Sequence, residues 1–325
     1  MTRVLLLGFA GIGSQDHQTA MYLPAFQSHP EFTVAAVCTG PGESGSAARE
    51  AAARLDVALY DSFDQARRET EFEAVSIAVA LDQRAAVIAE VLRAGKHVLA
   101  DKPLAASLAE TGQLAAEVER SDRVLVPAHH LRLGGAVQSA VAAIAGGRIG
   151  LPWNVQADFF VGGGDPAPSG ELVNLALYPV DVLHAMLGLA PVRVFARSGR
   201  YWNSEVEDFV ALMIDYENGV TGTVTVGRTS TGSGGAVMLH RYRASGTHGV
   251  LVTDATRPAL SVRTAVGVES RWRGGSTVDA LLNVLHGGIA AGRPQLTVAD
   301  AVHTQTVIDA AQRSLRSGLP ERSHA

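Results

Sequence analysis

A lysine follows a short apolar run near residue 100, in the segment Val98-Leu99-Ala100-Asp101-Lys102-Pro103. The apolar run is typical of a buried strand, and Pro103 ends it because proline fixes φ and donates no ladder hydrogen bond. Ligands of open α/β sheets bind outside the carboxyl ends of the strands. We therefore expect Lys102 to face a bound ligand. The alternative is an exposed lysine in an ordinary strand-to-helix turn.

A glycine-rich segment follows the first apolar run, Val4–Leu7, and reads Gly8-Phe9-Ala10-Gly11-Ile12-Gly13. The dinucleotide fingerprint is G-x-G-x-x-G between a strand and a helix, where backbone N–H groups approach a pyrophosphate. Ala10 stands at the second glycine position, and the additional Gly11 restores room for that approach. The segment predicts a dinucleotide site, and the alternative is a plain tight turn.

The second predicted strand, Thr33–Cys38, ends without the Asp or Glu that binds the adenosine ribose in the dinucleotide fold. Thr39 follows, and no arginine is adjacent. A missing carboxylate removes repulsion against a 2′-phosphate, which a threonine hydroxyl can hydrogen-bond. These features favour NADP slightly over NAD. The alternative is that Thr39 is only a turn residue.

Strands alternate with helices over residues 1–127, which predicts a doubly wound parallel sheet. The predicted strands are 4–7, 33–38, 74–81, 98–100 and 123–127, and the predicted helices are 46–55, one starting within 60–63, 82–94 and 107–121. Ser62 is a plausible N-cap for the second of these helices.

Beyond residue 127 the pattern changes to long alternating stretches with glycine-rich turns, which is typical of a mostly antiparallel sheet with one open face. The predicted strands are 153–160, 192–196, 209–216, 220–226, 237–244 and 250–253. Helices are expected over Gly134–Ala145 and Gly170–Leu187, and two more at 276–291 and 298–317. The segment Gly162–Pro168 is either a mobile loop or a surface turn.

Composition narrows the class of protein. The 325 residues are 47% hydrophobic with a net charge of −5, which suits two globular domains and gives no attraction to nucleic acid or membranes. A single cysteine, Cys38, excludes an internal disulfide framework and a Cys-rich zinc site, and we expect no metal. No apolar run reaches the roughly 18 residues of a membrane span, so we expect a cytoplasmic protein.

Short pieces along the whole length carry a resemblance to one family. They are Gly8–Gly13, Leu23–Phe26, Ala94–Val98, Asp101–Pro103, Arg132, Gly147–Gly150, Tyr178–Asp181, Glu217–Gly219 and Gly292–Pro294. In their order and spacing they resemble the Gfo/Idh/MocA oxidoreductases, which include glucose–fructose oxidoreductase and inositol dehydrogenase. The resemblance implies a dinucleotide-binding Rossmann domain at 1–127 and an α/β domain for substrate binding and oligomerisation, with a large open sheet, at 128–325. It also implies a homo-oligomer, a dimer or tetramer.

The resemblance implies hydride transfer between NAD(P) and a hydroxyl or keto carbon of a sugar, sugar nucleotide or cyclitol. Asp101-Lys102-Pro103 corresponds to the family's Glu-Lys-Pro, so Lys102 inherits the catalytic-lysine role. Tyr178 stands at the family's catalytic His position, as in the branch that resembles dihydrodiol and xylose dehydrogenases, and is the expected proton donor. Asp181 keeps the family's second substrate-binding carboxylate, and Asn174 replaces the first.

The chemistry agrees with these roles. Reduction of a ketone places negative charge on its oxygen, and a tyrosine supplies the proton if its pKa is brought down toward working pH. A lysine cation stabilises both the phenolate and the developing alkoxide. Asn174 and Asp181 lie four before and three after Tyr178, so one continuous helix would place all three on one face, with Asp181 orienting the substrate or Lys102. The alternative for Tyr178 is a core tyrosine.

Other positions depart from the family or are left open. Arg132 is expected near the cleft between the domains, as a candidate substrate contact, whereas His129 and His130 are assigned to packing and solvation. Ala80 and Leu81 replace the family's Thr-Pro, and the histidine that usually follows is absent. The expected cofactor positions are Gly8, Ala10, Gly11, Ile12, Gly13, Thr39, Ala80, Asp101 and Lys102.

Two other functions remain open beside a sugar or cyclitol dehydrogenase. One is a glycosidase that uses bound NAD for a transient oxidation, which Tyr178 disfavours. The other is a non-catalytic dinucleotide sensor of the same fold, which the atypical glycine segment favours. The joint presence of Lys102 and Tyr178 opposes the sensor.

Overall fold

The computed structural model describes residues 1–12, 16–201, 205–229, 236–257, 259–272 and 274–323. They form two compact units, Met1–His129 with Val278–Val302, and His130–Thr277 with the residues from His303 onward. The sequence analysis expects one uninterrupted second domain at 128–325. The structure differs because residues 278–302 cluster with the first unit, where Val298 and Ala301 pack in its hydrophobic core.

The first unit is built on six strands: β1 (Thr2–Leu7), β2 (Phe32–Cys38), β3 (Ala58–Tyr60), β4 (Ala74–Ile77), β5 (His97–Ala100) and β6 (Leu125–Pro127). They form one parallel sheet in the order β3-β2-β1-β4-β5-β6. Its helices are α1 (Leu23–Ser28), preceded by a wide helical turn at Gln18–Tyr22, α2 (Ser46–Leu55), α3 (Phe63–Glu69), α4 (Leu81–Arg93) and α5 (Leu108–Ser121). This is the strand order of the doubly wound dinucleotide fold, and it confirms the doubly wound parallel sheet that the sequence predicted.

Local sequence explains where these elements begin. Val4, Leu5 and Leu6 are fully buried, as expected of a central parallel strand that is covered on both faces. The hydroxyls of Ser62 and Ser107 accept the N–H groups of Gln65 and Glu110 at 3.2 Å, which fixes the starts of α3 and α5.

The predicted boundaries differ in two places in this unit. The prediction missed the three-residue strand β3, whereas α3 begins at Phe63 directly after the predicted cap at Ser62. The strand predicted to reach residue 81 ends at Ile77, and Leu81 already begins α4. The apolar run misled the prediction because Ala78 and Val79, beyond the strand end, are also buried.

The second unit is built on nine strands: β7 (Pro152–Gly162), β8 (Pro191–Gly199), β9 (Phe209–Tyr216), β10 (Thr221–Thr229), β11 (Ala236–Gly246), β12 (Gly249–Asp254), β13 (Ala259–Thr264), β14 (Gly267–Trp272) and β15 (Glu321–Arg322). Their order is β14-β13-β12-β11-β7-β10-β9-β8-β15. Only the β7–β10 pair is parallel among the described pairings, and the others are antiparallel. The mostly antiparallel sheet was predicted, whereas β13, β14 and β15 were missed.

The helices of the later chain are α6 (Gly135–Ala145), α7 (Gly170–Asn174), α8 (Leu177–Leu187), α9 (Thr277–Ala291) and α10 (Val298–Ser317). Along β7 the buried side chains of Val155, Ala157 and Phe159 alternate with the more exposed Asn154 and Gln156, so the two faces of this strand differ in polarity. No helix in the described ranges combines the length and apolar character that crossing a membrane requires.

The single helix predicted over Gly170–Leu187 is wrong, since the chain forms α7 and α8 with a break at Leu175 and Ala176. Ala176 N donates to Glu171 O at 3.1 Å, which widens the turn by one residue. In a regular helix Leu175 O would accept from the N–H of residue 179, but Pro179 has none. Leu175 O accepts from Tyr178 N at 3.2 Å instead. Asn174 therefore lies on α7, and the expectation of one helical face shared with Tyr178 and Asp181 fails.

Candidate functional site

The candidate cofactor residues of the first unit gather at the carboxyl edge of the parallel sheet. Gly8 follows β1, Thr39 follows β2, Ala80 lies between β4 and α4, and Asp101 and Lys102 follow β5. The order of the strands reverses between β1 and β4, and doubly wound folds bind their ligands at such a point. The residues named from the sequence therefore lie together at this edge of the sheet, and their roles in cofactor binding remain predictions.

The loop after β1 is held close to the neighbouring strands. Gly8 has a φ of +81°, and a Cβ there would lie 2.5 Å from Val79 Cγ1, so only glycine fits. Ala10 N donates to Ala78 O at 2.9 Å, beyond the end of β4. Gly11 and the buried Ile12 continue the loop, and Gly13 lies outside the described residues.

A carboxylate that the sequence analysis overlooked lies at this loop. Glu43 accepts the N–H groups of Phe9 and Ala10 at 3.0 and 3.2 Å, and the N–H of Gly40 at 3.0 Å. The statement that no carboxylate stands near the end of β2 is thus incomplete, because Glu43 reaches back from five residues beyond Cys38. Thr39 itself donates its hydroxyl to Asp61 O at 3.3 Å.

These contacts test whether the edge fits a dinucleotide. Backbone N–H groups of the loop after β1 converge on the Glu43 carboxylate, so this edge accommodates a group that accepts hydrogen bonds. A glycine with no room for a Cβ and a strand order that reverses beside it agree with that use. The residues present therefore fit a bound nicotinamide dinucleotide.

A buried network surrounds Asp101, which has no exposed surface. Its Oδ1 accepts from Tyr22 Oη at 2.7 Å and lies 3.0 Å from His17 Nδ1, while Arg84 Nη2 lies 3.3 Å from Oδ2. Burial is the largest influence and acts to raise the pKa of Asp101. The charges of His17 and Arg84, the hydrogen bond with His17 and the charge of Lys102 act against burial and hold the pKa of Asp101 far below its usual range. Asp101 is therefore a carboxylate at any working pH.

Arg84 holds the backbone that carries Lys102. Its Nη1 donates to Lys102 O at 2.8 Å and to Pro103 O at 2.7 Å, and its Nη2 donates to Val79 O at 2.8 Å. Lys102 is 1% exposed, so the alternative of an exposed lysine in an ordinary turn is wrong. The sequence analysis noted Arg84 only where the family's histidine is absent, and nothing in the local pattern indicated its burial.

We expect Arg84→Met to lower the free energy of unfolding by about 3–5 kcal/mol, because Asp101 loses a buried ion-pair partner and the carbonyl oxygens of Val79, Lys102 and Pro103 lose their donor. Urea denaturation followed by circular dichroism measures the change. The exposed Arg68 of α3 offers a matched control, and Arg68→Met should stay within about 0.5 kcal/mol of the wild type. Equal stability of the two variants would contradict a structural role for Arg84.

In the second unit, Tyr178 lies on the first turn of α8 among aromatic rings. Its ring meets those of His130 and Phe159 edge-on, at centroid distances of 5.8 and 5.7 Å. His130 is buried rather than solvated, and its Nδ1 lies 2.7 Å from Thr277 Oγ1. Packing thus sets the direction of the Tyr178 ring, as a positioned proton donor requires.

A second polar pair next to Phe159 was also missed by the sequence analysis. His240 packs on Phe159 at 4.9 Å and is hydrogen-bonded to Tyr242 Oη. Burial lowers the pKa of His240 to about 4, so this imidazole is neutral near pH 7. Burial, and then the charge of Asp181, raises the pKa of Tyr242. The only sequence signal was their spacing of two residues on one face of a strand.

Arg132 and Asp181 form a two-point ion pair. Arg132 Nε donates to Asp181 Oδ2 at 2.7 Å and Nη2 donates to Oδ1 at 2.5 Å. Both side chains are less than 10% exposed, so removal of either partner would leave a buried charge at a cost of about 3–5 kcal/mol. The sequence named both residues as separate substrate contacts, and the structure brings them together.

Asn174 belongs to a different cluster. Its Nδ2 donates to Glu171 Oε2 at 2.9 Å, and Glu171 Oε1 is paired with Arg228. Arg228 also donates to Gly163 O at 3.1 Å, which ties β10 to the glycine segment after β7. Glu171 and Arg228 were not found from the sequence, because nothing in the pattern pairs residues 57 positions apart.

Lys102 and Asp101 lie in the first unit, and Tyr178, Asp181, Arg132 and Asn174 lie in the second. The expectation that Lys102 and Tyr178 meet over a bound coenzyme stays a prediction.

Comparison with known proteins identifies the family. The family description "Oxidoreductase family, NAD-binding Rossmann fold" matches residues 2–129, and "GFO/IDH/MocA C-terminal domain" matches residues 137–252. The chain belongs to the Gfo/Idh/MocA oxidoreductases. The resemblance inferred from the sequence is thereby confirmed, as are the two-part α/β fold and membership of an enzyme family that binds NAD(P).

Relatives of this Gfo/Idh/MocA protein include named enzymes. It is 27% identical over 229 residues to trans-1,2-dihydrobenzene-1,2-diol dehydrogenase from Sus scrofa, covering 68% of this chain and 67% of that protein. It is 27% identical over 291 residues to dTDP-3,4-didehydro-2,6-dideoxy-alpha-D-glucose 3-reductase from Streptomyces violaceoruber, covering 83% and 80%. An oxidoreductase from Agrobacterium radiobacter, solved with NAD+, L-tartaric acid and magnesium, shares the fold with a TM-score of 0.84 at 18% identity, covering 99% and 98%.

Proposed function

We propose that this Gfo/Idh/MocA protein is an NAD(P)-dependent dehydrogenase or ketoreductase for a ring carbon that bears a hydroxyl or keto group. The observation that carries the proposal is the placement of Lys102, buried directly after β5 with its carbonyl held by Arg84. Residues 1–127 would bind the dinucleotide, and residues 128–325 would bind the substrate and form the subunit contacts.

In this proposal each candidate residue has a defined task. The nicotinamide, when bound, supplies or accepts the hydride. Tyr178 Oη gives a proton to the substrate oxygen during reduction and takes it back during oxidation. The Lys102 ammonium stabilises negative charge on the phenolate and on the alkoxide. Asp101 keeps charge balance beside Lys102, because its carboxylate is held by His17 and Arg84.

The substrate class follows from the relatives and from the second unit. The named relatives act on a dihydrodiol and on a deoxysugar nucleotide, so a sugar, sugar nucleotide or cyclitol is the proposed substrate. Arg132, Asp181 and Asn174 are the proposed substrate contacts. Arg132 and Asp181 would act as one fixed pair, because two hydrogen bonds join their side chains.

Cofactor titration tests the proposal directly. We expect saturable enhancement of NADH or NADPH fluorescence on addition of the protein, and oxidation of the bound nucleotide when keto-sugars are supplied. Binding without turnover over a broad panel of ketones would favour the dinucleotide sensor instead. The absence of binding by either nucleotide would overturn the enzymatic proposal.

The remaining expectations belong to the same proposal. The sequence favoured NADP slightly, because Thr39 follows β2 and no carboxylate was found there. The Glu43 carboxylate at the same edge weakens that argument. A homo-oligomer, dimer or tetramer, is proposed through the open face of the nine-stranded sheet, where Met213 of β9 is 54% exposed. Native mass spectrometry measures the subunit number. A cytoplasmic location is part of the proposal.

A further inference from the structure

We propose that Glu43 is a specificity-determining residue that makes the dinucleotide site select NAD over NADP. The inference rests on the proposed function, because it concerns the same dinucleotide. It goes beyond that proposal by replacing the slight preference for NADP with a named carboxylate and a defined direction of selectivity.

The turn after β2 places Glu43 next to the loop that begins at Gly8 after β1. Pro41 stands at the second position of the turn and Gly42, with a φ of +73°, at the third, while Glu43 N donates to Gly40 O at 3.2 Å. This is the sequence pattern of a type II turn. A Cβ at Gly40 would lie 2.3 Å from Glu43 Oε1, so the glycine makes room for the carboxylate. Local sequence thus builds the turn and leaves space for the side chain.

The carboxylate is anchored between the ends of two strands. Phe9 and Ala10 directly follow Gly8 at the end of β1, and Gly40 follows the end of β2. Glu43 accepts hydrogen bonds from the N–H groups of all three residues. In the doubly wound fold the adenosine ribose lies on this side of the switch point, where an acidic group accepts from the 2′-hydroxyl. Glu43 therefore occupies that position from an unusual place in the sequence.

The surroundings strengthen the negative charge at this edge. Burial and then the charges of Asp61, Glu43 and Glu90 raise the pKa of the Cys38 thiol to about 12, so these carboxylates all act on the end of β2. A ribose 2′-hydroxyl can donate to a carboxylate, whereas a 2′-phosphate is a dianion that it repels.

A cation, Arg49, lies near this turn, and its positive charge would favour a 2′-phosphate. Arg49 on the first turn of α2 donates to Ser44 O at 3.2 Å, and a Cβ at Gly45 would lie 3.2 Å from Arg49 Nη1. Its guanidinium is thus engaged with the backbone beyond Glu43, whereas Glu43 itself reaches the loop that starts at Gly8. The geometry favours the carboxylate as the group that meets the ribose, and Arg49 is included in the test.

The test compares the affinities for NADH and NADPH by fluorescence titration of the purified full-length protein and its variants. We expect the wild type to bind NADH at least about tenfold more tightly than NADPH, and Glu43→Gln to lower that ratio by about tenfold, since one unit of charge is removed. The control is Glu50→Gln, an exposed carboxylate of α2, which should leave the ratio unchanged. Arg49→Gln should also leave the preference for NADH intact.

Three results would overturn the inference. One is a wild type that binds NADPH as tightly as NADH, or more tightly. Another is a Glu43→Gln variant that loses or gains affinity for both nucleotides by the same factor. An equal change is what we would expect if Glu43 only held the loop after β1 in place or only blocked it. The third is a preference that Arg49→Gln reverses. Failure of the wild type to bind either nucleotide would instead refute the proposed function, so the two failures are distinguishable.

Discussion

Replacement of Lys102 with methionine is expected to lower kcat by about 10²–10³-fold, the usual cost of losing one group that stabilises charge in the transition state. Methionine has nearly the length of the lysine stem but carries no charge, so the buried volume next to Asp101 stays filled. We expect the affinity for NADH, measured by fluorescence titration, to remain mostly intact. Steady-state turnover with a responsive keto-sugar measures the loss.

The chain offers a close control, because Lys96 and Lys102 are its only two lysines. Lys96 lies before β5, and its Nζ donates to Phe72 O at 2.8 Å and lies 4.9 Å from the centre of the Phe72 ring. Lys96→Met should cost stability but leave kcat unchanged. If Lys102→Met keeps wild-type turnover, the catalytic assignment of Lys102 is wrong, whatever the outcome at Lys96.

Tyr178→Phe should lower kcat by about 10²–10⁴-fold and change KM little, because it removes the proton donor and keeps the ring. The edge-on contacts with His130 and Phe159 involve the ring alone, so we expect the fold around α8 to persist. Thermal unfolding checks that point independently. The kcat and KM values, measured over a range of pH, separate loss of proton transfer from loss of substrate binding.

Tyr216 on β9 provides the matched control for Tyr178. Its hydroxyl is buried and has no hydrogen-bond partner among the described residues, so Tyr216→Phe should leave turnover unchanged. The same substitution at the two tyrosines removes one oxygen atom from the second unit in each case. A Tyr178→Phe variant that turns over as fast as Tyr216→Phe would remove Tyr178 from the mechanism.

The first unit could be predicted largely from local patterns. Buried parallel strands carry continuous apolar runs, and the caps at Ser62 and Ser107 use a side-chain oxygen three residues from its donor. Strand β3 was not predicted, because three residues are too few to show the alternation of buried and exposed side chains. The same reason explains why β15, with two residues, was missed.

The break between α7 and α8 shows where local reasoning stops. One continuous helix was predicted over Gly170–Leu187, and its spacing would place Asn174, Tyr178 and Asp181 at positions i, i+4 and i+7 on one face. Pro179 was visible in the sequence, but the wide turn starts at Glu171, whose side chain is bonded to Asn174 and to the distant Arg228. Residue spacing alone could not separate one helix from two.

The sequence by itself determined the family, the parallel sheet and the place of Lys102 at the end of a strand, because these depend on short apolar runs and on motifs whose order survives in the chain. Only the tertiary structure decided the partners of the charged groups. Arg84 beside Asp101, Arg132 beside Asp181 and Glu43 at the N–H groups of the glycine loop are contacts between segments far apart in sequence. Such contacts arise when buried charges must find partners, a condition that no local pattern records.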